Sequence, residues 1–320
     1  IVGAWLAPIL SIFILFLVYL IGRELLNKWV GLIAVFLVGV LPTEFFHRSR
    51  LGNADHHTFE VFAVLGIVLF LLLAQKYKKW YLVLVSGFFL GLYLWAWQGG
   101  LFFIAVLGIW YITEFLIKYF KKESTFSTSR DFFLTVLVGI IIILPYYIMI
   151  HPPLVYVIAI LMALALPVVL QGLSLLIKNR YIFLLALALL AIRAIPLVGP
   201  NMLHFIDSAL RALFWGFGSP VDEMIPSSPT VLFSAYGISI FFAIGGFYYV
   251  IKNKVPVLFI VWCVINTLLV IGQRRWGYYF VVTEALLAGL FLSEVSKFLR
   301  KDSRSAACVV MLIFLILPSL

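Results

Sequence analysis

The chain has 320 residues, 65% of them hydrophobic and 11% charged, with a formal net charge of +10 and a mean hydropathy of +1.17. Soluble globular chains are about half apolar and about a quarter charged, so this composition excludes a soluble domain and makes the bilayer the solvent. The basic excess does not point to nucleic acid, because the charges sit in short loops between apolar runs, where orientation signals belong.

In chain order, apolar runs long enough to cross about 30 Å of hydrocarbon fall near 2–22, 29–45, 58–75, 80–97, 100–117, 131–150, 154–177, 181–198, 231–251, 255–272 and 277–296, and a further one starts near 306. They predict an all-α membrane protein, a polytopic bundle of 11–12 transmembrane helices, since none alternates as barrel strands must. The chain starts at Ile1 and stops at Leu320 inside an apolar run, so a piece of a longer protein is expected. Cys263 and Cys308 both lie in apolar runs and form no metal or redox motif.

Numbering the loops alternately divides the 23 basic residues unequally. The loops near 23–28, 76–79, 118–130, 178–180, 252–254 and 297–304 carry 17 of them, and the other side carries Arg48, Arg50, Arg193, Arg211, Arg274 and Arg275. The first side is therefore cytoplasmic. The opposite, extracytoplasmic side holds all five histidines, with Glu44, Asp55, Glu60, Asp207, Asp222, Glu223 and Glu284 at or near its edge. Its basic residues are all arginine, which suits bidentate phosphate or carboxylate recognition. Histidine, carboxylate and arginine on one face predict a reaction site there.

Four segments carry that chemistry. The first is His47-Arg48-Ser49-Arg50-Leu51-Gly52-Asn53-Ala54-Asp55-His56-His57-Thr58-Phe59-Glu60. In an extended turn Asp55 and His57 point the same way and reach one ion, whereas in a regular helix they diverge by about 200°. Carboxylate plus imidazole suits Mn²⁺, Mg²⁺ or Zn²⁺, the carboxylate favouring the harder ions. Without metal, Asp55 would N-cap the next span, with Glu60 favourably placed in its first turn. His56 is expected to point elsewhere or to act as an outer donor.

The second segment, Trp95-Ala96-Trp97-Gln98-Gly99-Gly100, reads as helix packing and interfacial anchoring. The third, Val221-Asp222-Glu223-Met224-Ile225-Pro226, lies in the long outer connection 199–230, and loops of that length are often functional. The fourth, Gln273-Arg274-Arg275-Trp276-Gly277-Tyr278-Tyr279-Phe280, is either a phosphate-binding arginine pair or a snorkelling anchor with an aromatic belt.

The ordered set Arg-Ser-x-x-Gly-x-x-Asp-His-His-x-x-Glu, then Val-x-Glu-Met-x-Pro about 165 residues later, then Arg-Arg-aromatic-x-Tyr-Tyr-Phe, resembles the catalytic subunit of oligosaccharyltransferase in its archaeal single-subunit form. The resemblance covers essentially the whole chain and implies a C-type glycosyltransferase-like fold with external catalytic loops. It implies that Asp55 and His57 ligate a catalytic divalent cation (Mn²⁺ or Mg²⁺), with Arg48 seven residues before the aspartate. It maps Glu223 onto the glutamate that contacts the acceptor asparagine, and Arg275, with Arg274 close enough to be confused with it, onto the arginine that contacts the lipid phosphate. His56 and Glu60 are candidates for the outer shell. Pro220 stands where the family has a hydroxyl residue. The family's first acidic motif is expected upstream of residue 1, and its soluble C-terminal domain with the Trp-Trp-Asp segment downstream of residue 320.

The expected reaction moves an oligosaccharide from a dolichyl or other polyprenyl phosphate carrier to the asparagine of an N-x-S/T sequon, by single displacement with inversion, in a multi-pass protein of the cell membrane. Two rivals stand beside it. Another polyprenyl-phosphate-sugar enzyme, mannosyltransferase-like, also places acids in an outer loop, but the Asp-His-His segment together with Glu223 favours the first reading. A transporter would place ionisable residues at mid-membrane, and Arg193 alone falls near such a position.

Overall fold

The computed structural model describes residues 2–53, 56–190, 192 and 225–298. Among them thirteen α-helices follow one another: α1 Val2–Leu25, α2 Lys28–Val40, α3 Glu44–Arg48, α4 His56–Tyr77, α5 Tyr81–Ala96, α6 Leu101–Lys121, α7 Phe126–Ile150, α8 Leu154–Leu176, α9 Arg180–Leu190, α10 Pro229–Tyr236, α11 Ser239–Lys252, α12 Val257–Gly272 and α13 Gly277–Ser296. Short 3₁₀ turns at Gln98–Gly100 and Arg274–Trp276 open α6 and α13. The described residues contain no strand.

Each of the eleven apolar runs carries helix, though not each as one long rod. Among the described residues six helices are long and apolar enough to cross a membrane, or seven spans if the bent pair α10–α11 counts as one. α5 and α12 have 16 residues each, about 24 Å at 1.5 Å per residue, short of the hydrocarbon thickness. The run 29–45 is divided between α2 and α3. Leu41 and Thr43 are extended, and Pro42 between them lacks the N–H that a continuing helix needs. The run 231–251 bends by 88° between α10 and α11, at Gly237, whose φ of 55° suits a residue without a Cβ.

The turns are held by side chains at both ends of the bundle. At one end, the Asn27 amide oxygen accepts from the N–H groups of Trp29 and Val30, capping α2, while its Nδ2 donates to Ser293 Oγ of α13 at 3.1 Å. Lys76 reaches Glu24 at 3.1 Å, and Asn253 donates to Glu294 at 3.2 Å, at that same end. These residues belong to the loops that carry most of the basic charge. At the other end, Ser228 caps α10, with Pro229 at the first helical position.

α4 and α13 form the axis. Over their central windows, 78% of each is buried, against 17–28% for α1, α7 and α8. The lipid-facing surface therefore falls to the outer helices. α13 packs against α2, α11 and α12, α4 against α1 and α5, and α6 against α12, α7 and α8. Close approach depends on small residues, as expected where apolar solvent gives helices no hydrophobic drive to associate. A Cβ on Gly22 of α1 would stand 2.6 Å from the Gly31 Cα of α2.

Candidate active site

The first turn of α4 turns the Asp-His-His-x-x-Glu segment into a cluster. From His56 onward the backbone is helical, so His56, His57 and Glu60 stand at i, i+1 and i+4 on one side. Glu60 is fully buried. Its Oε1 lies 3.1 Å from His56 Nε2 and 3.1 Å from His57 Nδ1. Its Oε2 accepts from the Tyr279 hydroxyl at 2.7 Å and the Tyr278 hydroxyl at 3.2 Å. The hydroxyls of Tyr279 and of Tyr93 on α5 are 3.1 Å apart.

The rings continue this arrangement as a stack. His56 and His57 have centroids 4.3 Å apart, His57 and Tyr278 are 4.6 Å apart, and the Arg48 guanidinium stands 5.6 Å from the Tyr278 ring. Arg48 closes α3, with its Nε 3.5 Å from Glu44. The Thr58 hydroxyl donates to the Arg48 carbonyl at 3.4 Å, tying the loop to the start of α4. Gly52 in that loop has a φ of 91°.

The two neighbouring arginines face different surroundings. A 3₁₀ turn rotates successive residues by about 120°. Arg275 lies over two indoles, 5.0 Å from Trp276 and 5.7 Å from Trp97, and its buried Nε has no hydrogen-bond partner among the described residues. Arg274 instead lines a cavity of about 350 Å³ with Glu44, His47, Ser227 and Tyr236. Its backbone N–H donates to the Ile225 carbonyl at 3.1 Å, and the Ser227 N–H donates to the Ile271 carbonyl at 3.1 Å. The last residues of the 199–230 connection are thereby fixed against the α12–α13 junction.

Arg48, His56, His57, Glu60, Arg274 and Arg275 thus gather at one end of the bundle. Asp55 and Glu223, the two carboxylates expected to act on the acceptor, lie outside the described residues. Of the two places expected for His56, the structure has it beside Glu60, sharing one carboxylate oxygen with His57, because the helix begins at His56 and puts both imidazoles within one turn of that carboxylate. Reading the sequence missed Tyr278, Tyr279 and Tyr93 as holders of Glu60, and Trp97 as a neighbour of Arg275. The available signal was a Tyr-Tyr pair directly after Arg-Arg, which an aromatic belt explains equally well.

His56, His57 and Glu60 bring three ligand-type atoms within 4.8 Å of one another. Glu60 is nonetheless poorly suited to bind an ion, since a carboxylate accepts about four hydrogen bonds and these four neighbours use them. Its hydrogen bond to His57 Nδ1 suits an imidazole that presents Nε2 to a cation. The donor set fits a histidine ligand supported by a carboxylate.

The family described as "Oligosaccharyl transferase STT3, N-terminal" matches residues 2–320. A dolichyl-phosphooligosaccharide-protein glycotransferase 3 of Archaeoglobus fulgidus is 29% identical over 141 residues, 40% of this chain and 16% of the relative. A dolichyl-monophosphooligosaccharide-protein glycotransferase AglB of Haloferax volcanii is 28% identical over 131 residues, 35% of this chain and 12% of the relative. Among solved structures, the archaeal oligosaccharyltransferase AglB from Archaeoglobus fulgidus, in complex with an inhibitory peptide and a dolichol-phosphate, aligns with a TM-score of 0.85 at 21% identity, over 99% of this chain and 44% of that one. An Archaeoglobus fulgidus oligosaccharyltransferase in complex with Zn and sulfate aligns with a TM-score of 0.68 at 21% identity, over 99% and 40%. This chain therefore spans less than half of those proteins, and at this identity the likeness establishes the fold.

Proposed function

The chain belongs to the oligosaccharyl transferase STT3 family, and from that premise we propose that it is the membrane part of an enzyme that moves an oligosaccharide from a dolichyl or other polyprenyl phosphate carrier to the asparagine of an N-x-S/T sequon, at the extracytoplasmic face and with a divalent cation. The observation that carries this reading is the meeting of two motifs far apart in sequence. Glu60 and His57 of the first lock onto Tyr278 and Tyr279 of the last, directly beside Arg275. The dolichol-phosphate and inhibitory peptide bound by one structural relative, and the zinc of another, support lipid, peptide and metal ligands.

In this reading Asp55 and His57 hold the cation, either Mn²⁺ or Mg²⁺, with Glu60 and His56 behind them. Bound there, the ion would supply a Lewis acid for the negative charge gathering on the leaving phosphate. Arg275, delocalised against two indoles, and Arg274 at the neighbouring cavity take up the same charge from the protein side. Arg48 keeps the stack of His57 and Tyr278 closed. An amide nitrogen is a poor nucleophile because its lone pair is shared with the carbonyl. Asp55 and Glu223, accepting its N–H groups, weaken that conjugation and aim the nitrogen at the sugar. No Ser or Cys nucleophile beside a base is evident in the sequence, which accords with single displacement. The apolar outer helices leave room for a polyprenyl chain along the bundle.

The test uses the full-length enzyme in membranes, a dolichyl-linked oligosaccharide and a sequon peptide. Asp55→Ala and His57→Ala should abolish cation-dependent transfer, while Glu223→Gln should raise the peptide KM without weakening Mn²⁺ binding. Full transfer in a chelator, or wild-type kinetics in all three variants, would remove the metal and the amide-activating roles together.

A further inference from the structure

Glu60 is held by residues that the reaction outlined above leaves without a task. Tyr278 and Tyr279 are the second and third residues of α13 and follow the Arg274–Trp276 turn without a break. Both hydroxyls point at one oxygen of Glu60, at 3.2 and 2.7 Å, and the Tyr279 hydroxyl also meets that of Tyr93 on α5. Glu60 and the three tyrosines are all at least 96% buried. A buried carboxylate held on one side by phenols has one favourable orientation for its second oxygen, and here that oxygen faces His57 Nδ1. Hydrogen bonding of this kind fixes which imidazole nitrogen carries the proton and where the ring points. The Tyr278 ring, 4.6 Å from His57, covers the imidazole from the side.

On the metal reading of His57 given above, we propose that Tyr279 and Tyr278 are positioning residues: through Glu60 they hold His57 with Nδ1 protonated and Nε2 turned to a divalent cation, and they tie that cation site to the phosphate-facing Arg275 at a set spacing. The spacing follows from the chain itself. Arg275 and Tyr278 are three residues apart where a 3₁₀ turn runs into α13, so a shift of that turn moves the arginine and the clamp on His57 together. Tyr93 braces the clamp from α5, three residues before the end of that helix and four before Trp97, which lies over Arg275. Both sides of the proposed donor site thus rest on the same two elements.

Mn²⁺ binding to the purified full-length enzyme, followed by EPR without lipid donor or peptide, reads the clamp directly. Removing a partner behind a metal-bound histidine typically costs about 10–100-fold in affinity. Tyr279→Phe should fall near the lower end and Glu60→Gln near the upper. The unfolding midpoint of Tyr279→Phe should stay close to wild type, and its kcat should recover at high Mn²⁺ while peptide KM is unchanged. His57→Ala is the reference. If the wild type binds no Mn²⁺, or His57→Ala binds as tightly as the wild type, the metal reading fails and the clamp with it. If His57→Ala loses Mn²⁺ but Tyr279→Phe and Glu60→Gln keep wild-type affinity, the clamp alone is overturned.

Discussion

Glu60 and Glu114 are buried carboxylates near opposite ends of the bundle, each with four partners, and they differ in where the compensating charge comes from. Glu114 accepts from Trp110 Nε1 at 2.6 Å, Gln75 Nε2 at 2.9 Å and Thr128 Oγ1 at 3.4 Å, and forms an ion pair with Lys118 Nζ at 2.8 Å, one turn along its own helix. Its charge is met within the fold. Glu60 instead meets two phenols and two imidazoles, groups that are neutral or carry charge only when protonated. α4 joins the two sites: it carries Glu60 in its first turns and Gln75, a partner of Glu114, near its far end. The same residue type in the same kind of burial therefore serves two purposes. Closed by a lysine, it locks helices together; held by phenols and imidazoles, it fixes the rings around it.

The largest effect should come from Glu60→Ala. It takes the acceptor from the buried Tyr278 hydroxyl and His57 ring, each worth about 1–3 kcal/mol, while the Tyr279 hydroxyl keeps Tyr93 and the half-exposed His56 ring can turn to water. Transfer should fall on the order of 100-fold and the unfolding midpoint should drop clearly. A variant with near-normal transfer would put Glu60 in the same purely structural class as Glu114.

Lys118→Ala should come next, costing about 2 kcal/mol, below the range for fully buried pairs because Lys118 is a quarter exposed. Transfer by the folded enzyme should stay within about twofold. Adding Glu114→Gln to it should restore most of the lost stability, since the orphaned charge is then gone. A loss of catalysis at unchanged stability would break the division between the two ends.

The smallest effect should come from Glu284→Gln. Glu284 lies two turns into α13, fully buried, with the Ser239 hydroxyl of α11, which donates to the Tyr236 carbonyl, as its polar neighbour. Burying a carboxyl group with so little compensation is costly, so the amide should be neutral or stabilise by about 1 kcal/mol in thermal unfolding. A clear loss would show that the Ser239 hydroxyl serves the carboxylate in the fold.

Much of this could be read along the chain. The apolar runs located every long helix described, and the unequal sorting of basic residues grouped Arg48, His56, His57 and Arg275 at one end, where the described residues bring them together. The readings that missed depend on breaks and neighbours. Pro42 divides one run and Gly237 bends another, and hydropathy alone registers neither. Glu284 was read as an edge residue, although its place in α13 and the packing of α2 and α11 around that helix bury it. For His56 the sequence left two places open, and the start of α4 decided between them by setting both imidazoles beside Glu60.

The sequence by itself determined the membrane setting, the helical class and the residue types gathered at one end of the bundle, because these depend on composition and on order along the chain. The tertiary structure alone decided that Tyr279 serves Glu60, 219 residues away, that Trp97 lies over Arg275, and that Arg274 and Arg275 face different surroundings. Helical periodicity fixes which face a side chain occupies but not which helix meets that face. Hydrogen bonds and ring contacts act over a few ångströms between elements that only packing brings together.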